Sequence, residues 1–244
     1  MAQHGKRYET ARGEIDREST YSPVVAVQML KAFPAAKFDE TVEVHFRLGL
    51  NVRHADEQLR GTLMLPHGTG KDVRIAVFAE GDKAREAEEA GADIVGSADL
   101  AKRIEEGFTD FDVAIATPDQ MGNVGKLGRV LGPRGLMPNP KTGTVTFEVG
   151  KAVRDAKAGK LEYRTDRGAN VHVSIGKKSF DERALVENYA AVVDEIIRAK
   201  PAAAKGRYIR QVTLTSTMGP GIHVDPAKIR GILEELEERQ AVPA

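Results

Sequence analysis

A cationic loop rich in proline and glycine is the first segment whose residue types suggest chemistry. Residues 131–145 read LGPRGLMPNPKTGTV, fifteen residues with three prolines and three glycines and no helix or strand periodicity. From Gln120 to Phe147 the chain has no acidic residue and four basic ones, Lys126, Arg129, Arg134 and Lys141. Prolines stiffen such a loop and glycines let a partner approach its backbone. The segment therefore predicts a secondary basic loop that binds a polyanion.

A run of hydroxyl residues offers a second kind of chemistry. Residues 213–221 read TLTSTMGPG, and the surrounding stretch from Ile196 to Val224 has five basic residues and no acidic one. Hydroxyl groups and bare backbone amides suit hydrogen bonds to the sugars and phosphates of nucleic acids. Threonine-rich strands are also common for reasons of packing, so this pattern alone leaves a purely structural role open.

Motifs for nucleotide binding, metal binding and catalysis are missing from the sequence. The glycines between residues 122 and 135 do not form the G-x-G-x-x-G turn of dinucleotide sites. The Gly-Lys pairs at 70–71 and 125–126 lack the other residues of a phosphate loop. The six histidines form no H-E-x-x-H or i,i+4 pair, and there is no cysteine. We therefore expect no catalytic residues, no metal and no cofactor.

The composition is that of a globular protein with balanced charge. The 244 residues include 36 basic and 36 acidic ones, and 41% are hydrophobic. Zero net charge argues against a simple polybasic binder but is compatible with local basic tracts at a defined site. The first thirty residues carry charges throughout, and no segment approaches the ~20 apolar residues of a membrane span. We expect a soluble, cytoplasmic protein with one large or two modest domains.

The two ends of the chain show the period-two alternation of antiparallel strands. From Thr41 to Leu50, apolar residues alternate with polar ones, as in a strand with one buried face. Similar strands are predicted at Gly61–Leu65, at Leu161–Thr165, after the turn at 166–168 at Val171–Ile175, and at Tyr208–Thr217.

Helices are predicted between these strands. Ser22 and Pro23 begin one that ends at Phe33. Ser179 and Glu182 form a capping box for a long amphipathic helix that ends at Lys200. A last helix is predicted from Asp225, with a tail too acidic to face a core.

The middle of the chain follows a different pattern. Strand and helix alternate three times between residues 73 and 131, and the strands are almost continuously apolar. Such strands are covered on both faces, as in a doubly wound parallel sheet. The predicted strands are Val73–Ala79, Ala92–Gly96 and Asp112–Thr117, and the predicted helices are 82–90, 97–107 and 118–131.

The fold class is therefore α/β with two domains. Residues 1–68 and 159–244 are predicted to form a split α+β domain with a mainly antiparallel sheet, ending in an acidic C-terminal extension at 229–244. Residues 69–158 are predicted to form an inserted doubly wound (Rossmann-like) three-layer α/β domain. Gly68, Gly70 and Gly159 lie at the junctions and are predicted to act as hinges.

Three strings in this order resemble one protein family. They are KFDETVEV at 37–44, GPRGLMPNPKTGTV at 132–145 and TSTMGP at 215–220. Over about residues 4–228 the chain resembles the family of large-subunit ribosomal protein one, the L-one stalk proteins. The resemblance implies that the residues which recognise ribosomal RNA are Lys37, Phe38, Thr41, Glu43, Thr215, Thr217, Met218 and Gly219, with His172 and Ser174 on an adjoining strand.

The resemblance also implies a function. A member of this family is a non-enzymatic, cytoplasmic, ribosome-bound protein that binds 23S-type ribosomal RNA of the large ribosomal subunit. It forms the mobile stalk near the tRNA exit site and assists release of deacylated tRNA. It also represses translation of its own operon mRNA. When free of the ribosome it is expected to be a monomer.

Two other functions stay open at this point. One is an enzyme that uses the doubly wound domain for a nucleotide or phosphorylated substrate. The other is a hinged clamshell that binds a small molecule. Individual residues have alternatives as well, since Phe38 could be a core aromatic residue and Met218 could cover the core. Glu43 would repel phosphate, so an RNA role requires it to accept hydrogen bonds from base amines or sugar hydroxyls.

Overall fold

The structure is a computed structural model that describes residues 5–228 and 231–241, excluding the side chains of residue 233 and residues 238–241. The chain divides into two compact units. One combines Met1–Gly70 with Leu161–Ala244 and is called the split unit below. The other is Lys71–Lys160, the inserted unit. Within the described residues no helix is long and apolar enough to cross a membrane.

The first part of the split unit contains two helices and two strands. They are α1 (Lys6–Gly13), α2 (Pro23–Ala32), β1 (Thr41–Leu48) and β2 (Arg60–Met64). The Ser22 hydroxyl accepts a hydrogen bond from the Val25 amide, so the predicted N-cap of α2 is confirmed.

The inserted unit alternates strands and helices. Its elements are β3 (Ile75–Phe78), α3 (Asp82–Glu89), β4 (Ile94–Gly96), α4 (Ala98–Glu105), β5 (Val113–Ala116), α5 (Met121–Lys126), α6 (Gly128–Leu131) and α7 (Val149–Lys157). The predicted helix from Pro118 to Leu131 is wrong as one continuous element. It consists of a 3-10 turn and two short helices, because glycine, a poor helix former, recurs at 122, 125 and 128.

The second part of the split unit completes its sheets. It contains β6 (Lys160–Arg164), β7 (Asn170–Lys177), α8 (Glu182–Arg198), β8 (Ile209–Ser216), β9 (Ile222–Val224) and α9 (Ile232–Ala241). The turn predicted at 166–168 is present, with the Ala169 amide donating to the Asp166 carbonyl (3.2 Å). The two strands that it joins nevertheless lie in different sheets.

The split unit has a four-stranded sheet in the order β7-β1-β8-β9, and every neighbouring pair is antiparallel. β2 and β6 form a separate two-stranded sheet. Helices α2 and α8 pack against the four-stranded sheet. Its inward-facing residues, such as Val42, Val44, Phe46, Val212 and Leu214, are fully or almost fully buried in one core with the apolar sides of these helices.

The inserted unit has a three-stranded parallel sheet in the order β4-β3-β5. Its side chains enter two separate cores. Phe78 and Ala76 pack with residues of α4, α5 and α6, whereas Ile75 and Val77 pack with residues of α3 and α7. Residues on both faces of β3 are therefore buried, as the continuous apolar pattern predicts.

Two predicted helix starts are wrong. Asp181, not Ser179, caps α8 by accepting a hydrogen bond from the Arg183 amide, while the Ser179 hydroxyl donates to Asp39 (2.6 Å). The last helix begins at Ile232 instead of Asp225, where the chain makes a turn.

One residue of the predicted acidic tail, Leu236, does face the core, contrary to the prediction, while Glu234 and Glu237 are exposed. Ile232 and Leu236 are 5% and 2% exposed and belong to the core of the split unit. Their spacing of four residues places both on one face of the helix, which packs on α8. Residues 229, 230 and 242–244 of the predicted extension lie outside the described residues.

Candidate nucleic-acid interface

The outer side of the four-stranded sheet, called the open face below, carries polar residues in rows. Glu43 of β1 lies opposite Ser174 of β7 and Thr215 of β8. His45 lies opposite His172 and Thr213 in the next row. The rows follow from strand geometry, because alternate residues of β1 point to opposite faces. Folding therefore brings together polar side chains from three strands that are far apart in sequence.

Thr41 and Thr217 join two strands at one end of the open face. The Thr217 amide donates to the Thr41 carbonyl, and the Thr41 amide donates to the Thr217 hydroxyl oxygen, both over 3.0 Å. Lys177 of β7 donates to the Thr41 hydroxyl oxygen (2.9 Å). The Thr217 hydroxyl is therefore already part of the protein's own hydrogen bonding, and a change there would affect the structure as well as any ligand.

Glu40 is a buried carboxylate that connects the two strings at this end of the sheet. It is 2% exposed and accepts hydrogen bonds from the Ala36 amide (2.7 Å), the Ser216 hydroxyl (2.7 Å) and the Met218 amide (3.1 Å). The segment before β1 is thereby tied to the segment after β8. Sequence analysis missed this residue, because its partner Ser216 lies 176 positions away.

The charge of Glu40 is maintained by these donors. Burial alone would raise its pKa, but the hydrogen bonds from Ser216, Ala36 and Met218, with the nearby positive charge of Lys178, lower the pKa below the usual value. Glu40 is therefore ionised at neutral pH and accepts all three hydrogen bonds in its charged form, which strengthens them.

Two large apolar side chains lie exposed beside Glu40. Phe38 is 54% exposed and Met218 is 55% exposed, so neither is a core residue. Lys37 is exposed next to Phe38. An exposed phenyl ring offers a stacking platform for a nucleotide base, and a lysine offers a charge for phosphate.

The turn after β8 requires glycine at position 219. A Cβ atom there would lie 2.5 Å from the Ser216 hydroxyl oxygen, which is too close for any other residue without rearrangement. The Thr215 hydroxyl donates towards the Ser216 and Gly219 carbonyls (3.1 and 3.3 Å). Its hydroxyl proton is thus used within the protein, while its lone pairs can accept a hydrogen bond from a ligand.

His45 and His172 form a pair on the open face. Their Nδ1 atoms are 2.8 Å apart, and the rings meet edge to face with centroids 4.9 Å apart. The pKa of His45 is lowered, first by burial and then by the charge of His172, while Glu43 opposes the shift. Sequence analysis named His172 but not His45, which lies 127 positions away in the chain.

The predicted secondary basic loop belongs to the inserted unit. Lys126 lies on α5 and Arg129 on α6, and both are exposed while Leu127 and Leu131 beside them are buried. Arg134 is exposed and donates to the Thr109 hydroxyl oxygen. Lys141 is exposed in a 3-10 turn that the Asn139 side chain caps. The structure thus presents these four cations on a different unit from the ten residues predicted to recognise RNA.

The predicted hinge glycines have left-handed backbone. The φ angles of Gly68, Gly70 and Gly159 are 62°, 66° and 99°. At Gly70 a Cβ atom would also lie 2.6 Å from the Phe180 ring. These positions therefore need glycine, whatever their role in motion.

A second basic surface of the split unit was not found from the sequence. Arg53, Arg164 and Arg167 line a concave surface together with Val52, Gln58, Thr165 and Asp166. The three arginines are exposed. Arg53 lies more than 100 positions before Arg164 and Arg167, and no motif links them; the pairing of β2 with β6 brings their loops together. Among the described residues, no group of histidine and acidic side chains could hold a metal ion.

Comparisons with known proteins agree on one family. Residues 30–220 match the model of the family described as Ribosomal protein L1p/L10e. The chain is 60% identical over 234 residues to the Large ribosomal subunit protein uL1 of Saccharopolyspora erythraea. These residues make up 96% of this chain and 98% of that protein. It is also 60% identical over 225 residues to the protein of the same name from Thermobifida fusca. These residues make up 92% of this chain and 96% of that protein.

Proposed function

Because the chain belongs to the ribosomal protein L1p/L10e family, we propose that it is a structural protein of the large ribosomal subunit. It binds large-subunit ribosomal RNA through the open face of its split unit and is not an enzyme. Its place is therefore on the ribosome in the cytoplasm. The relatives that support this assignment cover almost the whole chain, so the proposal applies to both units.

The observation that supports RNA binding most directly is the set of hydrogen bonds accepted by the buried Glu40 carboxylate. It holds Phe38 and Met218, two exposed apolar side chains, beside the polar rows of a sheet whose other face is buried. Exposed apolar groups next to hydroxyl, amide and imidazole groups suit an unpaired or unstacked RNA strand. The bases stack on the apolar groups, and the polar groups bind the sugars and base edges.

The charges on the open face support recognition by hydrogen bonds more than by bulk attraction. Glu43 is exposed in the middle of the face, where it would repel phosphate but can accept hydrogen bonds from base amines or 2′-hydroxyl groups. Lys37 and Lys177 provide positive charge at the end of the sheet. Such a surface favours one folded RNA shape over other polyanions.

Two further parts of the proposal concern exit-site tRNA and the protein's own operon mRNA. We assign the four exposed cations of the inserted unit, Lys126, Arg129, Arg134 and Lys141, to contact with exit-site tRNA as deacylated tRNA leaves. The same open face that binds ribosomal RNA would bind a similar fold in the protein's own operon mRNA and so repress translation. A monomer free of the ribosome leaves this face accessible to either RNA. The two RNAs are therefore expected to compete for one site.

The test is a titration of the full chain against a folded stalk fragment of ribosomal RNA, with a scrambled RNA as reference. Phe38→Ala should weaken binding to the fragment by about 1–3 kcal/mol, because one stacking platform is lost. Phe147→Ala is the matched control, since Phe147 is 56% exposed but belongs to the inserted unit. It should leave the affinity unchanged.

Three results would contradict the proposal. They are equal binding of the folded and scrambled RNA, equal effects of the two phenylalanine variants, and tight binding of a nucleotide without RNA. The last result would favour an enzyme or a small-molecule clamshell built on the inserted unit.

A further inference from the structure

Three arginines of the split unit line one concave surface, called the arginine surface below. Arg53 lies in the loop between β1 and β2, Arg164 is the last residue of β6, and Arg167 lies in the turn before β7. Among the residues that the structure describes, none of their guanidinium groups is held in an ion pair or a hydrogen bond. Arg60 on the same two-stranded sheet is, by contrast, paired with Glu162. The protein therefore leaves the three positive charges of the arginine surface available to a ligand.

The two loops that carry these arginines are fixed to each other. The Thr165 amide donates to the Leu59 carbonyl (3.0 Å), and the Thr165 hydroxyl oxygen accepts a hydrogen bond from the Leu59 amide (3.2 Å). Gln58 closes the Arg53 loop by donating to the Val52 carbonyl (2.9 Å). Because the backbone is already ordered, a ligand that binds the arginines has only their side chains to immobilise.

Asp166 is the one acidic residue among the described residues that line the arginine surface, and its carboxylate is used within its own turn. One oxygen accepts hydrogen bonds from the Gly168 and Asn170 amides (2.8 and 2.7 Å), and the other accepts one from the Asn170 side chain (2.9 Å). Asp56 and Glu57 of the other loop do not line the surface. Three positive charges thus outweigh one negative charge that is already hydrogen-bonded, so the surface as a whole attracts anions.

The lining indicates which anion fits. The concave surface has a volume of about 860 Å³, and Val52 is its one lining residue with a wholly apolar side chain. Sites for small organic ligands are mostly apolar, so this lining does not resemble one. A guanidinium group matches two phosphate oxygens at once. Several arginines side by side suit successive phosphodiester groups of a nucleic-acid backbone, and the lining offers no aromatic ring on which a base could stack.

The arginine surface adjoins one end of the open face. The turn with Arg167 leads directly into β7, whose first residue, Asn170, lies opposite the exposed Arg47 of β1. Thr41 and Phe38 lie at the other end of β1. Six residues of strand separate Thr41 from Arg47, which corresponds to about 20 Å. A folded RNA bound at the Phe38 end can therefore extend along the open face to the arginine surface.

We propose that Arg53, Arg164 and Arg167 form a second RNA contact, which binds phosphodiester groups of the RNA that the open face recognises. The inference rests on the proposed RNA-binding function. The open face selects the RNA by stacking and hydrogen bonds, whereas the arginine surface adds affinity through charge and reads no sequence. The two contacts therefore differ in their dependence on salt.

The test measures the affinity of the full chain for the folded ribosomal RNA fragment at several salt concentrations. Each phosphate contact contributes ~0.7–0.9 to the slope of log affinity against log salt concentration. The triple variant Arg53→Gln, Arg164→Gln and Arg167→Gln should therefore have a slope shallower by about 2–3 and an affinity at least about tenfold weaker at ~0.1 M salt. Phe38→Ala should weaken binding without changing the slope, because stacking releases no counterions.

A control matched in charge is the triple variant Arg60→Gln, Arg183→Gln and Arg198→Gln. These arginines also belong to the split unit, but each is paired with a glutamate and none lines the arginine surface. The control should keep the slope of the unmodified protein. Circular dichroism shows whether the variants are folded. If the first triple variant does not fold, Arg167→Gln is compared with Arg60→Gln, and a slope shallower by ~0.7–0.9 is expected for Arg167→Gln alone.

The outcomes separate the inference from the function on which it rests. If the unmodified protein does not bind the folded fragment better than scrambled RNA, the proposed function itself fails. If it binds specifically but the folded variant of the arginine surface keeps the full slope, only the inference is overturned. The inference is also overturned if the control lowers the slope by the same amount, since the effect then comes from net charge and not from this surface.

Discussion

The four-stranded sheet of the split unit is packed on one face, whereas the three-stranded sheet of the inserted unit is packed on both. In the inserted unit, β3 contributes Phe78 and Ala76 to one core and Ile75 and Val77 to another. Parallel strands joined by helices leave no free sheet face for a ligand. The chemistry of this unit therefore lies in its loops, where the exposed cations are found.

The split unit uses the opposite arrangement. Antiparallel strands allow one face to stay open to solvent. Glu43, His45 and Thr215 on that face contribute nothing to the apolar core, so folding alone does not explain their residue types. In this protein, a sheet with one packed face and one polar face separates stability from recognition, whereas a sheet packed on both faces does not.

The largest expected effect tests this separation through the core of the inserted unit. Phe78 is fully buried, and Phe78→Ala should lower the free energy of unfolding of that unit by about 3–5 kcal/mol through lost burial and a cavity. Affinity for the ribosomal RNA fragment should stay unchanged while the protein remains folded. Chemical denaturation followed by circular dichroism and an RNA titration measure the two effects. Loss of RNA affinity by a folded Phe78→Ala protein would show that recognition also depends on the core of the inserted unit.

A medium effect is expected at Glu40, where structure and recognition meet. Glu40→Gln replaces one of the two acceptor oxygens by an NH2 group, although both oxygens of Glu40 accept hydrogen bonds. The NH2 group would then face another N–H or O–H donor, so the substitution should lower the free energy of unfolding by about 1–3 kcal/mol. RNA affinity should fall as well, because the segments with Phe38 and Met218 lose their common anchor. The matched control is Glu162→Gln, which removes only an exposed ion pair with Arg60 and should cost under about 1 kcal/mol.

The contribution of Glu40 to the free energy of unfolding also depends on pH, and the lowered pKa determines the direction of this dependence. Its pKa in the folded protein is lowered, so the ionised carboxylate stabilises the fold above the ordinary glutamate pKa. This stability is lost as the pH falls through the lowered value. The difference in unfolding free energy between the unmodified protein and Glu40→Gln should thus be constant at neutral pH and shrink in acid. A difference that grows in acid would contradict the assignment.

The smallest expected effect comes from the largest change in the chain. Removing residues 69–158 and joining Gly68 to Gly159 takes away the inserted unit, while β2 and β6, which pair in one sheet, remain on either side of the junction. We expect a folded split unit that keeps its affinity for the ribosomal RNA fragment within about tenfold, or ~1.4 kcal/mol. Circular dichroism checks folding and titration checks binding. Loss of binding by a folded product would move the main RNA site to the inserted unit.

Much of the fold could be predicted because local patterns and tertiary packing agree. The alternation in β1 and the apolar spacing of Leu185, Tyr189 and Val192 in α8 correspond to buried faces. One error arose where a local signal had a distant competitor. Ser179 looks like a helix cap, but Asp39, 140 positions away, takes its hydroxyl proton, and Asp181 caps the helix instead.

The candidate site was less predictable for the same reason. Eight of the ten predicted RNA residues came from strings similar to a family, and His172 and Ser174 came from an adjoining strand; the role of all ten stays a prediction. Glu40 lies inside one of these strings, yet nothing in its neighbours in sequence indicates that it is buried. The pair of His45 and His172 exists only because β1 and β7 are adjacent in the sheet, a pairing that sequence periodicity does not specify.

The position of β1 between β7 and β8 has a consequence for synthesis of the chain. β1 is made early, but both of its neighbouring strands follow the whole inserted unit. At ~5–20 residues per second, the 121 residues between Leu48 at the end of β1 and Asn170 at the start of β7 take about 6–24 s to translate. The inserted unit can fold during this interval, while β1 waits with both edges unpaired and its apolar side chains uncovered. The nascent chain is therefore exposed to aggregation and to chaperones until its last third has been translated.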